Sequence, residues 1–516
     1  MKTLLVGMHG LLFPHTECDL EILETLRNSK EDVFFLRCDL GLNSCSINLS
    51  NNLNTCAICQ GRYLNALSVM EFPERKVLRL PKVPEDDPRL PKLRPDSIED
   101  HQWLREYHFQ EIPIGLGALS SWISFHKDHK PPLTTEARQM LVKMLQNAAR
   151  VVIGFKALQA EQHFEKVVLH LGRFFDLRPI VEVCFQQGIA ITTHTAGRSL
   201  DSYMFHPGGL IHHPKVFRET VEAYLPPPEA EEDFRAVGER YFQVKLNRKS
   251  ESRVPIYTDK QELGRLPEGF NKKQKNIVIY DSSRDEIEAV DLHLPELRRH
   301  QTQAVKYIDE QLQDRDEVDV YWRVHPHMAG RDNTQLREIK EIEQELKKIK
   351  VIEADAEVDS YALLRSADVV FTFGSSVGFE GTYFGIPHLL LGGSVYQEFN
   401  LGSFAANYDE LQHYLHNLDS IKVGDKEDAY RIAAFYLLRG TPFQYFSINE
   451  DGKELFFKGR RIPKSSLPKV LDNTYGGKVM NFMRYRLKVP YNKNPFFNLR
   501  KQILKGLGKM ESQLPS

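Results

Sequence analysis

Three short stretches in the later half of the chain bring together residue types that hold anions and move protons. Gly374, Ser375 and Ser376 follow the apolar run DVVFTF, and small residues at a strand-to-helix turn offer main-chain N–H groups and hydroxyls to a phosphate. Glu380 falls one helical turn later, where a carboxylate would accept from a ribose hydroxyl. The plainer alternative is a serine-capped helix with a polar first turn. Arg323, His325 and Pro326 follow VDVYW, where a guanidinium and an imidazole would clamp a diphosphate or a carboxylate. A protonated His325 would neutralise charge on a departing phosphate and so act as the leaving-group acid. Asp281, Ser282, Ser283, Arg284 and Asp285 follow NIVIY and add hydroxyls and a further guanidinium.

A different chemistry is suggested near the start. Cys38, Cys45, Cys56 and Cys59 fall within 22 residues as C-x6-C-x10-C-x2-C, while Cys18 and Cys184 read as ordinary buried thiols. Four thiolates in a reducing compartment suit tetrahedral structural zinc, and an iron–sulfur cluster has the same ligand demand. The intervening DLGLNSCSINLSNNLNT is polar and Asn-rich, so a staple is expected there. Without a metal, only the Cys56 and Cys59 pair would be close.

These residues need a scaffold, and the hydrophobic pattern supplies one. KTLLVGM reads as a buried strand, Asp19 to Arg27 as a helix and Val33 to Leu36 as a second strand. Leu141–Ala149 (helix), Val167–Gly172 (strand), Pro179–Gln187 (helix) and Gly188–His194 (strand) continue the alternation. After an acidic, Pro-rich stretch at Leu225–Asp233 and a charged linker at Lys260–Lys275, the pattern restarts. Strands at Asn276–Tyr280, Val318–Arg323, KVIEA, DVVFTF and PHLLLG alternate with helices at Leu297–Leu312, Leu336–Ile349 and SYALLRSA, and another helix opens at Ser376. The expected fold class is α/β, with two doubly wound Rossmann-type domains facing across a cleft. The expected divisions are 1–265 with a Cys-rich insertion at 38–59, then 266–440, then a basic C-terminal extension at 441–516. In such sheets ligands bind outside the carboxyl ends of the strands, where the three stretches fall.

Composition narrows the class. Among 516 residues, 41% are hydrophobic and 27% charged, with a formal charge of −2, which excludes a chain disordered throughout and gives no broad basic surface for nucleic acid. No run is long and apolar enough to span a membrane, and the cytoplasm is the expected compartment. The charge is unevenly placed, however. From Lys453 to Ser516 there are 15 Lys and Arg against 3 Asp and Glu. There Phe496, Phe497, Leu499, Ile503, Leu504 and Leu507 interleave with Arg500, Lys501, Lys505 and Lys509, the pattern of a helix resting on the anionic inner face of a membrane or on the protein body.

YDSSRDE, RVHPH and DSYALLRSADVVFTFGSSVGFEGTYFGIPHLLLGGSVY, within Asn276 to Tyr396, resemble the C-terminal half of bacterial capsule and surface-polysaccharide biosynthesis proteins, which are GT-B glycosyltransferase-like. The resemblance implies a donor phosphate held by His325, Pro326, Ser375 and Ser376, with CMP-activated acidic sugars among the donors. In the first half, LGRFFDLRPIVEVCFQQGIAITTHTAGRSLDSYMFHPGG resembles the same family through Gly172, Arg173, Phe174, Arg178, Pro179 and His194. The pattern departs at Leu171, where the family has Asn, and at Thr195, where it has an acid. Inverting transfer needs a base for the acceptor hydroxyl; His194 and Asp201 are the first candidates, with His9, His15 and Asp39 behind them. The resemblance implies transfer from a nucleotide sugar to a glycan or lipid-linked acceptor; with no convincing Asp-x-Asp motif for a metal-bound donor, Arg284, Arg323 and helix dipoles are expected to meet the leaving phosphate without a metal cofactor. The rival readings are a nucleotide-sugar 2-epimerase-like isomerase and a non-catalytic polysaccharide assembly protein.

Overall fold

The computed structural model describes residues 1–38, 41–227, 230, 232–248, 258–290, 295–449 and 454–464. The amphipathic pattern at 496–509 and the candidate base Asp39 lie outside them. Among the described residues no helix is long and apolar enough to cross a membrane.

Two sheets organise the chain. The first runs β1 (Lys2–Gly7), β2 (Asp32–Arg37), β3 (Val77–Arg79), β4 (Lys166–His170), β5 (Ala190–Ala196) and β6 (Ser202–Pro207). The second runs β7 (Lys275–Tyr280), β8 (Val318–Arg323), β9 (Ile349–Ile352), β10 (Val369–Thr372), β11 (His388–Leu391) and β12 (Ser403–Ala405). Its spatial order is β12-β11-β10-β7-β8-β9, with every neighbouring pair parallel. The first sheet repeats that logic as β6-β5-β4-β1-β2-β3, parallel except that β6 runs antiparallel to β5. In each, the order reverses beside the first strand of the unit, between β1 and β4 and between β7 and β10. The crevice opens at such a switch point.

Alternation within the strands shows both faces covered. Leu4 and Val6 pack on one side of β1 with the helix Thr135–Gln162, whereas Leu5 and Val168 pack on the other with the first helix, His15–Asn28. Ile277 and Ile279 lie on one face of β7, Val278 and Tyr280 on the other. Burying each such side chain contributes about 1.5–3 kcal/mol, so continuous apolar strands favour this central, two-sided position. These are the two doubly wound α/β units the residue pattern predicts.

Helices Pro214–Ala223, Phe234–Leu246 and Lys426–Leu438 share one apolar cluster with Met204 of the first unit and Phe379, Tyr396 and Phe399 of the second. The chain then returns: β13 (Thr441–Pro442) adds antiparallel to β6 at the edge of the first sheet. The small sheet β14 (Phe446–Ile448), β15 (Leu455–Phe457) and β16 (Arg460–Arg461) packs over the first helix. The helix expected at Leu336–Ile349 ends sooner, spanning Thr334–Glu343, and Ile349 opens β9 instead. Asp309 captures the N–H groups of Lys347, Lys348 and Ile349 and turns the chain into the strand.

Candidate functional site

The three strand-end turns of the second unit meet at its switch point. Asp281, just past β7, accepts the His325 N–H on Oδ1 at 2.6 Å, tying the β7 turn to the β8 turn. Ser282 donates through Oγ to the Phe373 carbonyl at 2.9 Å, tying it to the turn after β10. Gln335, on the following helix, donates to the Ser282 carbonyl at 2.9 Å and accepts from the Arg284 N–H at 3.0 Å. Asp281 and Gln335 thus build the floor of the crevice, and neither stood out in the sequence, where Asp281 was one polar residue among five and Gln335 one surface-like helix position.

Gly374, Ser375 and Ser376 form the half-buried lip of this crevice. Gly374 has φ +93°, a conformation open to glycine, and a methyl group there would lie 3.1 Å from Ser394 Cβ. The helix behind the turn is only Val377–Tyr383, and Ser376 makes no side-chain cap, so the serine-capped reading does not describe it. Ser375 Oγ accepts weakly from Val377 N–H, at 3.4 Å.

His325 is half-buried, and Nδ1 accepts the His327 N–H at 3.1 Å, which puts the ring proton on Nε2. Burial, reinforced by His327, Arg331, Arg323 and Lys245, pulls its pKa down to about 3. The ring is therefore neutral near pH 7. In this state His325 presents an Nε2–H to the crevice.

Several expected ligand contacts are engaged elsewhere. Arg284 forms ion pairs with Glu338 at 2.9 Å and Glu288 at 3.6 Å. Arg323 is buried among main-chain carbonyls, donating to Glu353 and to Ala356 at 3.3 Å, and so shapes the loop after β9. Ser283 donates to Asp285 within its own turn. Glu380 is buried against the phenols of Tyr241 and Tyr361, not placed for a ribose. Arg173, also buried, donates to Ser120 Oγ at 3.0 Å and Ser124 Oγ at 3.1 Å and reaches the Glu286 carbonyl at 3.4 Å. With Arg178 Nη1 on the Val290 carbonyl at 3.0 Å and Arg105 on Glu288 at 2.9 Å, it fastens the two units together.

At the switch point of the first sheet, the carboxyl ends of β1, β4 and β5 carry His9, His170 and His194, all buried. His194 Nε2 donates to Asp19 Oδ1 at 2.7 Å, and Tyr63 donates to the other oxygen of that carboxylate. The lone pair of His194 is then on Nδ1, which is enclosed and has no hydrogen-bond partner. His170 packs between, its ring centre 5.7 Å from that of His194 and 3.9 Å from that of His15. Asp201 is exposed on the β5–β6 hairpin, its carbonyl taken by Phe443 N–H, while the carboxylate beside His194 is that of Asp19. Leu171 has φ +52°, the left-handed region that asparagine tolerates better than leucine.

The cysteine stretch is held by hydrogen bonds. Asn147 donates to the Ser44 carbonyl and hydroxyl at 3.2 and 2.9 Å, and Asp176 accepts from Ser46 N–H at 2.7 Å and from its hydroxyl at 3.0 Å. His9 completes that knot at 2.8 Å from Asp176. The thiols do raise one another: burial first, then Cys38 and Cys56, pushes Cys59 up to about 12. Among the described residues no three His, Cys, Asp or Glu side chains are placed to hold a metal ion. Asn147 and Asp176 tie the Ser44–Ser46 part of this stretch to the body of the first unit.

Two cavities flank these features. One of about 520 Å³ lies along the outer seam between Lys130, Arg138 and Arg337, away from the turns. A smaller one of about 150 Å³ adjoins Ser375, Ser394, Gln397 and Phe404.

No family model and no curated protein matches the chain. Among solved structures, the chain is similar to the beta Kdo 2,4 transferase KpsC of Thermosulfurimonas dismutans, at 17% identity over 58% of this chain and 84% of that one, with a TM-score of 0.36. Similarity to the beta Kdo 2,7 transferase KpsC of the same organism is 13% over 60% and 85%, TM-score 0.32. The Methanocaldococcus jannaschii UDP-GlcNAc 2-epimerase, solved with UDP-GlcNAc and UDP, is 12% identical over 85% and 99%, TM-score 0.27. At identities and TM-scores this low the likenesses carry no argument about chemistry.

Proposed function

We propose that this chain is a glycosyltransferase that moves a sugar from a nucleotide-activated donor, a CMP-linked acidic sugar among the candidates, to a glycan or lipid-linked acceptor in surface-polysaccharide synthesis. The observation that carries the reading is the hub at the second switch point, where Asp281 and Ser282 bind three phosphate-sized turns into one crevice. A rigid set of donors at a crevice of this kind stabilises charge that develops on a leaving phosphate.

In this reading the acceptor oxygen bonds to the anomeric carbon as the bond from that carbon to the phosphate oxygen breaks. The bonding pair leaves on the phosphate, met by the His325 Nε2–H and the Gly374–Ser376 turn. The hydroxyl proton passes to the His194–Asp19 pair, whose hydrogen bond fixes the ring with its lone pair on Nδ1. The basic extension would bring the enzyme to lipid-linked acceptors at the inner membrane face. The test is to incubate the full chain with CMP-, UDP-, GDP- and TDP-sugars and lipid-linked glycans and follow nucleotide release. Acceptor-dependent release supports transfer, whereas conversion of UDP-GlcNAc to its manno epimer without acceptor would assign an isomerase instead.

A further inference from the structure

The cations around the crevice sort into two kinds. Arg284, Arg323, Arg173 and Arg178 are engaged by carboxylates, carbonyls or hydroxyls, as above, and Arg331 lies against His327 with Asp285 3.9 Å away. Arg298, on the short helix Glu296–Arg299, is different. Among the described residues its guanidinium meets no carboxylate and donates no hydrogen bond, and its Nε, like that of Arg299, is enclosed without a partner; what sets Arg298 apart from Arg299 is its place beside Gly374. The main chain at Arg298 presses against Gly392: a methyl group there would lie 2.5 Å from Arg298 N. That close approach carries the side chain over to the β10 turn, where Nη2 sits 3.2 Å from the position of a methyl group on Gly374.

An enclosed Nε–H with no partner among the described residues is costly to keep beside a charge that nothing there offsets. Burial accordingly lowers Arg298 to about 10, with only Tyr396 acting against it. From the first unit, His212 approaches the same charges. Its Nε2 is enclosed without a partner, and burial, then Arg173, His206, Arg298 and Arg178, brings it to about 3. His212 of the first unit thus lies within electrostatic reach of Arg298, and Arg298 itself sits beside Gly374.

We propose that Arg298, with the Gly374–Ser376 turn, is an anion site whose ligand is a phosphate group of the nucleotide donor. This rests on the donor reading above and specifies which side chain meets the phosphate charge. The guanidinium presents two parallel N–H donors to a phosphate, a geometry that lysine does not reproduce. Neither Arg284 nor Arg323 supplies that charge, since both are committed to the protein.

The test is calorimetric titration of the full chain with CMP, UDP, GDP and TDP and with the matching nucleosides. For the nucleotide that binds, Arg298→Gln is expected to weaken affinity about tenfold to a hundredfold, Arg298→Lys to restore part of it, and the matching nucleoside to be unaffected. Arg299→Gln removes the same charge one residue on and serves as the control, with wild-type affinity expected. In the wild-type chain, pyrophosphate is expected to slow phenylglyoxal labelling of Arg298, read by mass spectrometry, more than that of Arg299. Wild-type nucleotide affinity in Arg298→Gln, or labelling indifferent to pyrophosphate, overturns the Arg298 assignment and leaves the donor reading standing. A wild-type chain that binds none of the four nucleotides overturns both.

Discussion

Asp281 Oδ1 accepts the main-chain N–H of His325 at 2.6 Å, so the side chain of one turn fixes the backbone of the next and, with it, the ring proposed above to meet the donor phosphate. The cost of that placement is visible in the carboxyl group. Burial pushes Asp281 up to about 8, against the His325 N–H and the Arg323 charge, both of which favour ionisation.

In the unfolded chain an aspartate ionises near pH 4, so between that value and about 8 the folded state holds an extra proton. The stability contributed by neutral Asp281 is complete at low pH and declines as pH rises through this window. Asparagine keeps the acceptor for His325 and cannot ionise. The melting temperature of Asp281→Asn relative to wild type should therefore rise between about pH 5 and about pH 8.5; a difference independent of pH would contradict the raised value.

The buried histidines act in the opposite sense. Burial, the largest influence on each, lowers His206 and His212 to about 3 and His388 and His327 to about 4, as it lowers His325. Unfolded histidine titrates near 6.5, so as pH falls below that value the unfolded state takes up protons that the folded state refuses. Stability should fall as pH drops from about 7 to about 4, the several histidines outweighing the single Asp281. Thermal melts across that range check it, and a flat profile would contradict the neutral rings.

Glu21 anchors the returning C-terminal segment. Its buried carboxylate accepts the N–H groups of Gln444, Tyr445 and Phe446 at 2.7, 3.1 and 2.9 Å. Glu21→Ala orphans all three, at roughly 1–3 kcal/mol each, so a loss on the order of 3 kcal/mol or more is expected in urea unfolding. Proteolysis after residue 440 should quicken in the same variant.

For His325, asparagine retains an acceptor near the His327 N–H but loses the Nε2–H. His325→Asn should lower transfer about 10²- to 10³-fold with little change in melting temperature, the size of effect expected for one preorganised donor. An unchanged rate would remove His325 from the mechanism.

The strands of both units were legible because each central strand is a short apolar run that ends in polar or small residues, and the strand-end position alone marked the crevice. The partners of those residues were not legible. Asp19 lies 175 positions from His194, and on the first helix it is one of four acids, Glu17, Asp19, Glu21 and Glu24, that look like a solvated face. All four are buried, each held by a contact from far along the chain: Arg62, His194, residues 444–446 and Lys458. Local pattern therefore favoured Asp201, close in sequence and distant in role. The same limit hid the anchors of the cysteine stretch: Asn147 and Asp176 hold Ser44 and Ser46 from more than a hundred residues away.

The central claim is that the turns after β7, β8 and β10 form one nucleotide-phosphate crevice. Thermal melting of the full chain with CMP, UDP, GDP and TDP tests it most directly. One nucleotide should raise the melting temperature, by an amount equivalent to about 2.7 kcal/mol at a hundredfold excess over Kd, and the rise should shrink in His325→Asn. No shift with any of the four, or an equal shift in the variant, would contradict it.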